Sequence, residues 1–369
     1  MVSRYTTQLW TIPTFVDNSV DNLVNHPHIQ AAAQLIQKQE TVAFPTETVY
    51  GLGADACSNE AVHKIFEAKG RPQDNPLIVH IANQDMLAGL VDNFSDEAKQ
   101  LMDRFWPGPL TLVLPKGDRV CSRVTAGLDS VAVRMPAHPV ALALIKAANT
   151  PIAAPSANRS GKPSPTRAEH VWRDLAGRIA AILDGGETKV GLESTVLDLT
   201  EEQPVLLRPG SITLEQLEEV LGPVRVEAEL VADDHPVVTD QMAFKPRSPG
   251  QKYRHYAPEG ELCLVSLEKG LEPMRQAIKL ALEKDRREGL KTAVLTTDDG
   301  AARYDADLVI SLGSRQQLDQ VASRLYEALH QVDQAGIVKI YAETFPENQV
   351  GKAIMNRLRK AAGGKVIIP

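Results

Sequence analysis

Apolar and polar positions follow two different periods along the chain, and their order predicts two α/β regions joined by an irregular segment. Over residues 20–222, short apolar runs alternate with amphipathic segments, and several runs are separated by turns alone. This arrangement favours a mixed twisted sheet in an α/β (α+β) domain over a doubly wound one. Residues 259–369 alternate regularly between strand and helix patterns, which predicts a smaller, Rossmann-like parallel-sheet domain. Residues 223–258 keep neither period and are rich in proline, so they are predicted to be a linker.

The individual elements follow from apolar runs for strands and from i, i+3, i+4 spacing for helices. Residues 1–18 are predicted to be an edge strand or an arm. The predicted strands are 41–44, 77–81, 110–114, 130–135, 152–154, 179–183, 194–199, 205–207, 262–267, 292–296, 308–312 and 338–342. The predicted helices are 28–39, 60–69, 95–105, 139–148, 214–221, 273–287, 318–333 and 353–362.

The stretch from residue 44 to residue 80 holds several candidate functional groups within a short length of chain. Gly51 and Gly53 are predicted to form a close turn, because glycine tolerates positive φ. In the following helix, Lys69 continues the apolar stripe at its C-terminal end, so we expect its side chain to be buried. Gly70 then ends the helix, and Arg71 is held in an extended conformation by the next proline.

Two interpretations of this cation pair stay open at this point. A lysine in the last helical turn complements the helix dipole without any further role. Alternatively, Lys69 and Arg71 form a fixed clamp for phosphate oxygens, because lysine supplies a point charge and arginine a planar fork.

Polar side chains recur at the strand ends of the first region. Because buried polar groups need partners, such a set predicts a lined, concave cavity rather than isolated surface groups. The residues concerned are Thr46, His80, Arg134, Ser156, Asn158, Ser194, Thr195 and Arg208. The loop from Ser156 to Ser164 could present hydroxyl and amide groups to phosphates, or could be a plain capped turn. The set suits electrostatic chemistry, in which ATP phosphates are held with Mg²⁺ beside a second substrate.

Other kinds of site receive little support. Ser156 and His80 could belong to a nucleophilic triad, but no nucleophile elbow marks one. The nine histidines show no spacing typical of a zinc site, so no protein metal site is predicted. The second region has neither a glycine-rich dinucleotide turn nor a phosphate-binding loop after its first strand. Its basic end is interpreted as a solvated helix face, with Lys352, Arg357, Arg359, Lys360 and Lys365.

Composition and charge exclude several classes of protein. The net charge of −7 argues against a protein whose whole surface binds nucleic acid. The three cysteines lie far apart and suggest a reducing cytosol, and hence a cytoplasmic protein. The start of the chain does not look like a signal peptide, and no apolar run approaches the ~18 residues of a membrane span, so no membrane partner is expected.

Seven short motifs in order resemble the YrdC domain of the Sua5 family, whose members are L-threonylcarbamoyladenylate synthases. The resemblance covers residues 20–215 and continues through SPGQKYRHYAP (248–258) into a C-terminal domain like that of the two-domain members. The hallmark Lys-x-Arg followed by Ser-x-Asn is met by Lys69, Arg71, Ser156 and Asn158. The motifs are PTETVYGLG (45–53), KGRPQDNPLIVHI (69–81), WPGPLTLVLP (106–115), VAVRMP (131–136), APSANRSGKPSPT (154–166), ESTVLDL (193–199) and LLRPGSIT (206–213).

The resemblance implies a reaction and its participants. L-Threonine, bicarbonate and ATP, with Mg²⁺, would give L-threonylcarbamoyl-AMP and pyrophosphate. Downstream tRNA threonylcarbamoyltransferase proteins would use the product for the t6A modification at position 37 of tRNA. Whether RNA or tRNA binds this chain directly is left open.

The resemblance also implies site residues, carried over position by position. Lys69 and Arg71 would act in catalysis as well as in ATP binding, and residues of the linker would close over ATP as a lid. His80 is interpreted as a binding group rather than a general base. The ATP-binding set is Lys69, Arg71, Ser130, Ser156, Asn158, Ser164, Arg208, His255 and Tyr256. The threonine-binding set is Thr46, His80, Arg134, Ala154 and Ser194.

Two functions are alternatives to the adenylate-forming synthase. An RNA-binding module without adenylate-forming activity would use a concave basic surface and bind in a salt-sensitive manner. The acidic composition and the lack of interleaved basic and aromatic residues argue against it. A carbamoyltransferase partner domain of the hydrogenase-maturation kind would also need zinc-finger and acylphosphatase-like segments, which this sequence lacks.

Overall fold

The computed structural model describes residues 5–13, 19–227, 246–249 and 255–369. Its strands form an eleven-stranded mixed sheet followed by a five-stranded parallel sheet, which confirms the predicted fold class. Each sheet is covered by helices on its faces and has its own apolar core. Within the described ranges, no helix is both long enough and apolar enough to cross a bilayer.

The large sheet runs in the order β1-β8-β2-β3-β7-β4-β6-β5-β9-β10-β11. Its strands are β1 (Gln8–Thr11), β2 (Val42–Phe44), β3 (Gly51–Asp55), β4 (Ile78–His80), β5 (Leu110–Pro115), β6 (Ser130–Arg134), β7 (Ile152–Ala153), β8 (Ala181–Asp184), β9 (Thr195–Asp198), β10 (Val205–Arg208) and β11 (Arg225–Val226). Parallel pairs such as β4 with β6 lie beside antiparallel pairs such as β5 with β6. Strand β1 pairs with β8 at the edge, as one of the two predictions for the first residues proposed.

The helices of this part lie on both faces of the sheet. They are α1 (Val20–Val24), α2 (Pro27–Gln37), α3 (Asn59–Lys69), α4 (Asp96–Phe105), α5 (Ser122–Thr125), α6 (Pro139–Ala148), α7 (Ala168–Leu175) and α8 (Leu214–Leu221). The bounds of α6 and α8 are those predicted from the sequence. Helices α1, α5 and α7 go beyond the predicted set: α1 and α5 have five and four residues and offer little periodicity, whereas α7 has eight residues, as many as the predicted α8.

The prediction of a glycine turn at Gly51 and Gly53 is wrong. Both residues lie inside β3, which pairs with β2 and β7. Gly53 is required for packing: a Cβ there would lie 2.6 Å from Phe44 Cε1 and 2.7 Å from Ile152 Cγ2. The glycines therefore allow neighbouring side chains to approach the strand, and the turn itself lies just before them.

Helix α3 confirms the predicted burial of Lys69 and the predicted end of the helix at Gly70. Its apolar stripe is buried, and Lys69 at the end of that stripe is only 2% exposed. The helix ends at Gly70, which adopts the left-handed conformation with φ of 63° and donates its N–H to Glu67 O. This turn directs the chain into Arg71 and on to β4.

The parallel sheet runs in the order β14-β13-β15-β12-β16. Its strands are β12 (Glu261–Val265), β13 (Thr292–Thr296), β14 (Leu308–Ser311), β15 (Lys339–Glu343) and β16 (Val366–Ile367). Its helices are α9 (Leu271–Arg287), α10 (Leu318–Gln334) and α11 (Val350–Ala362), and a 3₁₀ turn lies at Ala301–Arg303. Another 3₁₀ turn, at Gln84–Leu87, lies in the first domain. Strand β16 was not predicted; it adds an edge strand beside β12 after the last helix.

The segment predicted as a linker begins with structure. Arg225 and Val226 form β11, which extends the large sheet by pairing in parallel with β10. Residues 228–245 and 250–254 lie outside the described residues. Residues 246–249 and 255 onward are described, and Pro249, His255 and Tyr256 among them line the same cavity as residues of the first domain.

The two sheets are joined through a packed interface that α10 and α11 form with the first domain. Val49 and Leu192 belong to the same apolar cluster as the buried residues of these helices. Gly191 approaches α10 so closely that a Cβ would lie 2.5 Å from the Ser323 backbone. His170 of α7 stacks on His330 of α10, with ring centroids 3.7 Å apart. The C-terminal domain is therefore in direct contact with the loops that follow β2 and β8.

Candidate functional site

A cavity lined mainly by buried residues lies beside β2, β4, β6 and β10 and beneath the C-terminal end of the linker. Ten predicted site residues line it: Thr46, Arg71, His80, Arg134, Ala154, Ser156, Ser194, Arg208, His255 and Tyr256. Thr48, Val49, Ile78, Pro155, Glu193 and Pro249 complete most of the wall. Three arginines thus converge on one cavity, which concentrates positive charge where an anion could bind.

Arg134 is fixed at one end of the cavity by contacts on several sides. Its Nη1 donates to Thr48 Oγ1 at 3.0 Å, and its Nε donates to Gly108 O at 3.2 Å. Its Nη2 lies 2.6 Å from Glu47 Oε1 in a buried ion pair. Thr46 supports the same turn, because its Oγ1 contacts Thr48 Oγ1 at 2.8 Å and donates to Val49 O. The guanidinium is therefore held in one orientation beside hydroxyl groups.

His80 is a neutral histidine between Phe44 and the cavity. Burial, and then the charge of Arg134, lower the pKa of His80 to about 3. Its ring meets Phe44 edge to face, and its Nδ1 finds no hydrogen-bond partner among the described residues. A histidine in this state can accept or donate a hydrogen bond at neutral pH but is a poor base, which fits the interpretation as a binding group.

The low pKa of His80 predicts a measurable dependence of stability on pH. In the unfolded chain its pKa is about 6.5, so below that pH the unfolded state binds a proton that the folded state refuses. The free energy of unfolding therefore falls as pH decreases from about 6.5 towards 3, by up to ~1.4 kcal/mol per pH unit for this group. His80→Gln should remove that share. Urea unfolding at pH 7.5 and 5.5 measures it, with His63→Gln on the exposed face of α3 as the control. An unchanged pH slope in His80→Gln would contradict the prediction.

Arg208 and Arg71 line the cavity with partly committed guanidinium groups. Arg208 donates from Nε to Ser194 O at 3.0 Å and from Nη2 to Ser194 Oγ at 3.1 Å. Arg71 donates from Nη2 to Pro76 O at 3.0 Å and more weakly from Nε to Asn75 O. These acceptors are neutral oxygens, and both guanidinium groups line the cavity where an anion could bind.

Lys69 lies behind the cavity wall rather than in it. Its Nζ donates to Ser156 O and to Asn158 O, both at 2.5 Å. Burial, and then the charge of Arg71, lower the pKa of Lys69 well below its usual value. Asn158 is turned away from the cavity as well, since its Nδ2 donates to Arg159 O and Lys162 O. In this structure Lys69 therefore ties down the loop whose first residue, Ser156, lines the cavity.

Two of the predicted ATP-binding serines lie outside the cavity. Ser164 is fully buried and donates from Oγ to Glu193 Oε1 at 2.5 Å. Ser130 is the first residue of β6, at the far end of that strand from Arg134, and pairs with Pro115. Ser164 therefore contacts Glu193, which lines the cavity, whereas Ser130 lies at the end of β6 that is away from the cavity.

The end of the linker supplies one wall. His255, Tyr256 and Pro249 all line the cavity. Burial, and then the charge of Arg71, lower the pKa of His255 to about 3. Tyr256 adopts a positive φ of 64° and packs against Tyr326, with ring centroids 5.4 Å apart. This wall therefore contacts both the first domain and the C-terminal domain.

Three residues of the site were not identified from the sequence as functional. Glu193 lines the cavity, and Tyr326 and Arg357 of the C-terminal domain bind its carboxylate. The interpretation of Arg357 as part of a solvated basic face is wrong, because its side chain is fully buried against Glu193. Glu193 begins the motif ESTVLDL, so a signal for this residue is present in the sequence. Nothing in the local pattern marks Arg357 or Tyr326, since their role depends on how the two domains pack.

Comparisons with known proteins agree with this architecture. A family model described as telomere recombination (Sua5, YciO and YrdC) matches residues 34–210. A second, described as the threonylcarbamoyl-AMP synthase C-terminal domain, matches residues 212–363.

A threonylcarbamoyl-AMP synthase of Bacillus subtilis is 54% identical to the chain, covering 96% of this chain and 98% of the relative. A crystal structure of Pyrococcus abyssi Sua5 complexed with L-threonine has a TM-score of 0.88 at 46% identity, covering 98% of this chain and 100% of that one. A threonylcarbamoyl-AMP synthase of Vibrio campbellii is 33% identical and is covered over 99% of its length by 50% of this chain.

Proposed function

This chain belongs to the Sua5 family of threonylcarbamoyl-AMP synthases, and we propose that its cavity makes L-threonylcarbamoyl-AMP from L-threonine, bicarbonate and ATP, releasing pyrophosphate. The observation that carries this proposal is the convergence of Arg71, Arg134 and Arg208 on one cavity lined with hydroxyl groups. Fixed cations in a secluded site suit a reaction between two anions.

The reaction consists of two bond-forming steps. The threonine amine attacks the carbon of bicarbonate, water leaves, and a carbamate forms. A carbamate oxygen then attacks the α-phosphorus of ATP, and pyrophosphate leaves with the electrons of the broken P–O bond. Because carbamate and triphosphate are both negative, their approach is opposed until positive charge is placed between them. Positioning and charge neutralisation can supply much of the catalysis, with no covalent enzyme intermediate.

The ends of the cavity suggest which substrate lies where. Arg134, with Thr46 and Thr48 beside it, offers a fork and hydroxyl groups suited to an amino-acid carboxylate. The Pyrococcus abyssi relative is described as a complex with L-threonine, which supports a threonine subsite in this fold. Arg208 and Arg71 lie toward the linker side, beside Pro249 and His255, and would hold the phosphates of ATP. Lys69 would contribute its charge from behind the Ser156 loop.

Magnesium would enter with the nucleotide. Among the described residues, no group of three or more histidine, cysteine, aspartate or glutamate side chains is arranged to bind a metal ion. Mg²⁺ commonly keeps several waters and binds through substrate phosphates, so a protein cage is not needed. Bound in this way, the ion would neutralise phosphate charge, whereas the arginines of this chain orient the phosphates. His80 is too weak a base to take the amine proton and would act by hydrogen bonding.

The linker would protect the product. A carbamoyl-adenylate is a mixed anhydride that water destroys, so a closed wall over the cavity favours its survival. His255 and Tyr256 form part of that wall and would have to move to let ATP enter. We further propose that the product serves the t6A modification of tRNA, through a transferase that accepts it, in the cytoplasm.

The decisive experiment is a set of pyrophosphate-release assays with ATP and Mg²⁺ in which threonine and bicarbonate are omitted in turn. We expect release only when both are present, because the carbamate is the group that attacks ATP. Serine in place of threonine tests the threonine end under otherwise equal conditions. No release under any condition, together with salt-sensitive binding of RNA, would overturn the proposal in favour of the RNA-binding module.

A further inference from the structure

The cavity contains an acidic residue that the reaction does not require. Among the described residues lining the cavity, Glu193 is the one acidic side chain, and it is 7% exposed. It precedes Ser194, whose carbonyl and hydroxyl oxygens hold Arg208. A carboxylate in this place would repel the phosphates of ATP and could attract the guanidinium of Arg208.

Among the described residues, the C-terminal domain supplies two of the three side chains that donate to this carboxylate. Arg357 of α11 donates from Nε to Glu193 Oε2 at 3.0 Å, and Tyr326 of α10 donates to the same oxygen at 2.9 Å. Ser164 donates to the other oxygen. Arg357 also donates from Nη1 to Pro209 O at 2.6 Å, so it spans the two loops that carry Glu193 and follow Arg208.

The charges in this cluster favour an ionised, neutralised carboxylate. Burial by itself would raise the pKa of Glu193, but Arg357 first, and then Arg208, hold it below its usual value. Arg357 is fully buried, and in this pair it balances the charge of Glu193. Among the described residues, removing Arg357 would therefore leave Arg208 as the next cation that acts on Glu193.

We propose that Arg357 is a positioning residue for the nucleotide: it pairs with Glu193 so that Arg208 stays turned toward the cavity and available to the phosphates of ATP. This role deepens the proposed function and rests on it. It also gives the C-terminal domain a definite part in the reaction, since Arg357 and Tyr326 both come from that domain and reach the cavity wall only when the two domains are packed together.

A charge-removal cycle tests the proposal on the full chain. In Arg357→Met, Glu193 is unpaired, and we expect the KM for ATP to rise by about 10- to 100-fold. In the double variant, Arg357→Met combined with Glu193→Gln, neither position of the pair carries a charge, so nothing new attracts Arg208. We therefore expect the KM for ATP to return to within about fivefold of the native value. The KM for threonine should change by less than about threefold in both. Arg359→Met, on the same helix in a more exposed pair with Glu347, is the matched control.

The outcomes separate a positioning role from a merely structural one. If Arg357 only stabilises the interface, both KM values stay native-like in variants that remain folded, or the double variant is no better than the single one; either result overturns the proposal. If Arg357→Met does not fold, Arg357→Lys keeps the charge and should keep an ATP KM within about fivefold of native, and a larger rise overturns the proposal. Calorimetric binding of ATP by the same variants reads the effect without turnover. If the native chain binds ATP but releases no pyrophosphate, the proposed function is overturned. The role of Arg357 is then still tested by the effect of the same variants on ATP binding.

Discussion

Lys69→Met will lower kcat/KM for ATP by about 10²- to 10³-fold in pyrophosphate release. The methionine fills the same space but cannot donate to Ser156 O and Asn158 O, which both accept from Lys69 Nζ. Hydrogen bonds to a charged group contribute about 1.5–3 kcal/mol each, and about 1.4 kcal/mol corresponds to a tenfold change in rate. The substitution also removes a positive charge adjacent to Arg71. Loss of loop position and loss of charge therefore act in the same direction.

Two measurements distinguish the sources of this loss. KM values for ATP and threonine, determined separately, show whether the defect is confined to the phosphate end, and thermal unfolding shows how much of it is stability. Lys64→Met is the matched control, because Lys64 lies on the same helix and forms a half-buried ion pair with Glu40 rather than a contact with the Ser156 loop. Kinetics of Lys69→Met close to those of the native chain would exclude both the clamp and the loop-holding role.

The sequence could predict the burial of Lys69 but not what its ammonium group contacts. Burial follows from helical periodicity, which depends only on residues within three turns of α3. The acceptors, Ser156 O and Asn158 O, lie 87 and 89 residues further along the chain. Their position depends on β7 pairing with β3 and β4, a long-range event that no local pattern encodes.

The two wrong predictions have the same origin. Glycine favours turns, which predicts a turn at Gly53, whereas the aromatic ring of Phe44 on a neighbouring strand is what requires glycine there. Arg357 was assigned to solvent because the end of α11 is basic, whereas the first domain covers it. In both cases local propensity was correct as a tendency and was overridden by packing between distant segments.

Some of the predicted residues that line the cavity follow from the pattern alone, because strand ends are local features: Thr46, His80, Arg134, Ser156, Ser194 and Arg208. Arg134 lies where the apolar run of β6 stops, and Arg208 lies where that of β10 stops. Ala154, His255 and Tyr256 follow from the family resemblance and have no such local signal. Strands β4, β6 and β10 run in the same direction, so their carboxyl ends lie at one edge of the sheet. Ser130 shows the limit of predicting the site from sequence: it begins β6 and therefore lies at the opposite edge of the sheet from Arg134.

Truncation of the chain after residue 227 will leave a folded first domain that releases pyrophosphate at least about 100-fold more slowly. The first domain keeps its own cores on both faces of the sheet, and a relative of half this length has only the corresponding part. The truncated chain loses Pro249, His255 and Tyr256 from the cavity wall, and it loses Arg357 and Tyr326 from Glu193. Water then reaches the anhydride, and an unneutralised carboxylate faces the phosphates.

Adding Glu193→Gln to the truncated chain separates these two causes. If the unpaired carboxylate contributes, the second change should raise the rate about tenfold, which corresponds to about 1.4 kcal/mol. The part that it does not restore measures the missing wall. Glu187→Gln in the same truncated chain is the matched control, because Glu187 lies in the same loop but pairs with Arg167 at the surface. Full activity of the truncated chain would contradict both causes, since it would mean that neither the wall nor Arg357 is needed once the first domain has folded.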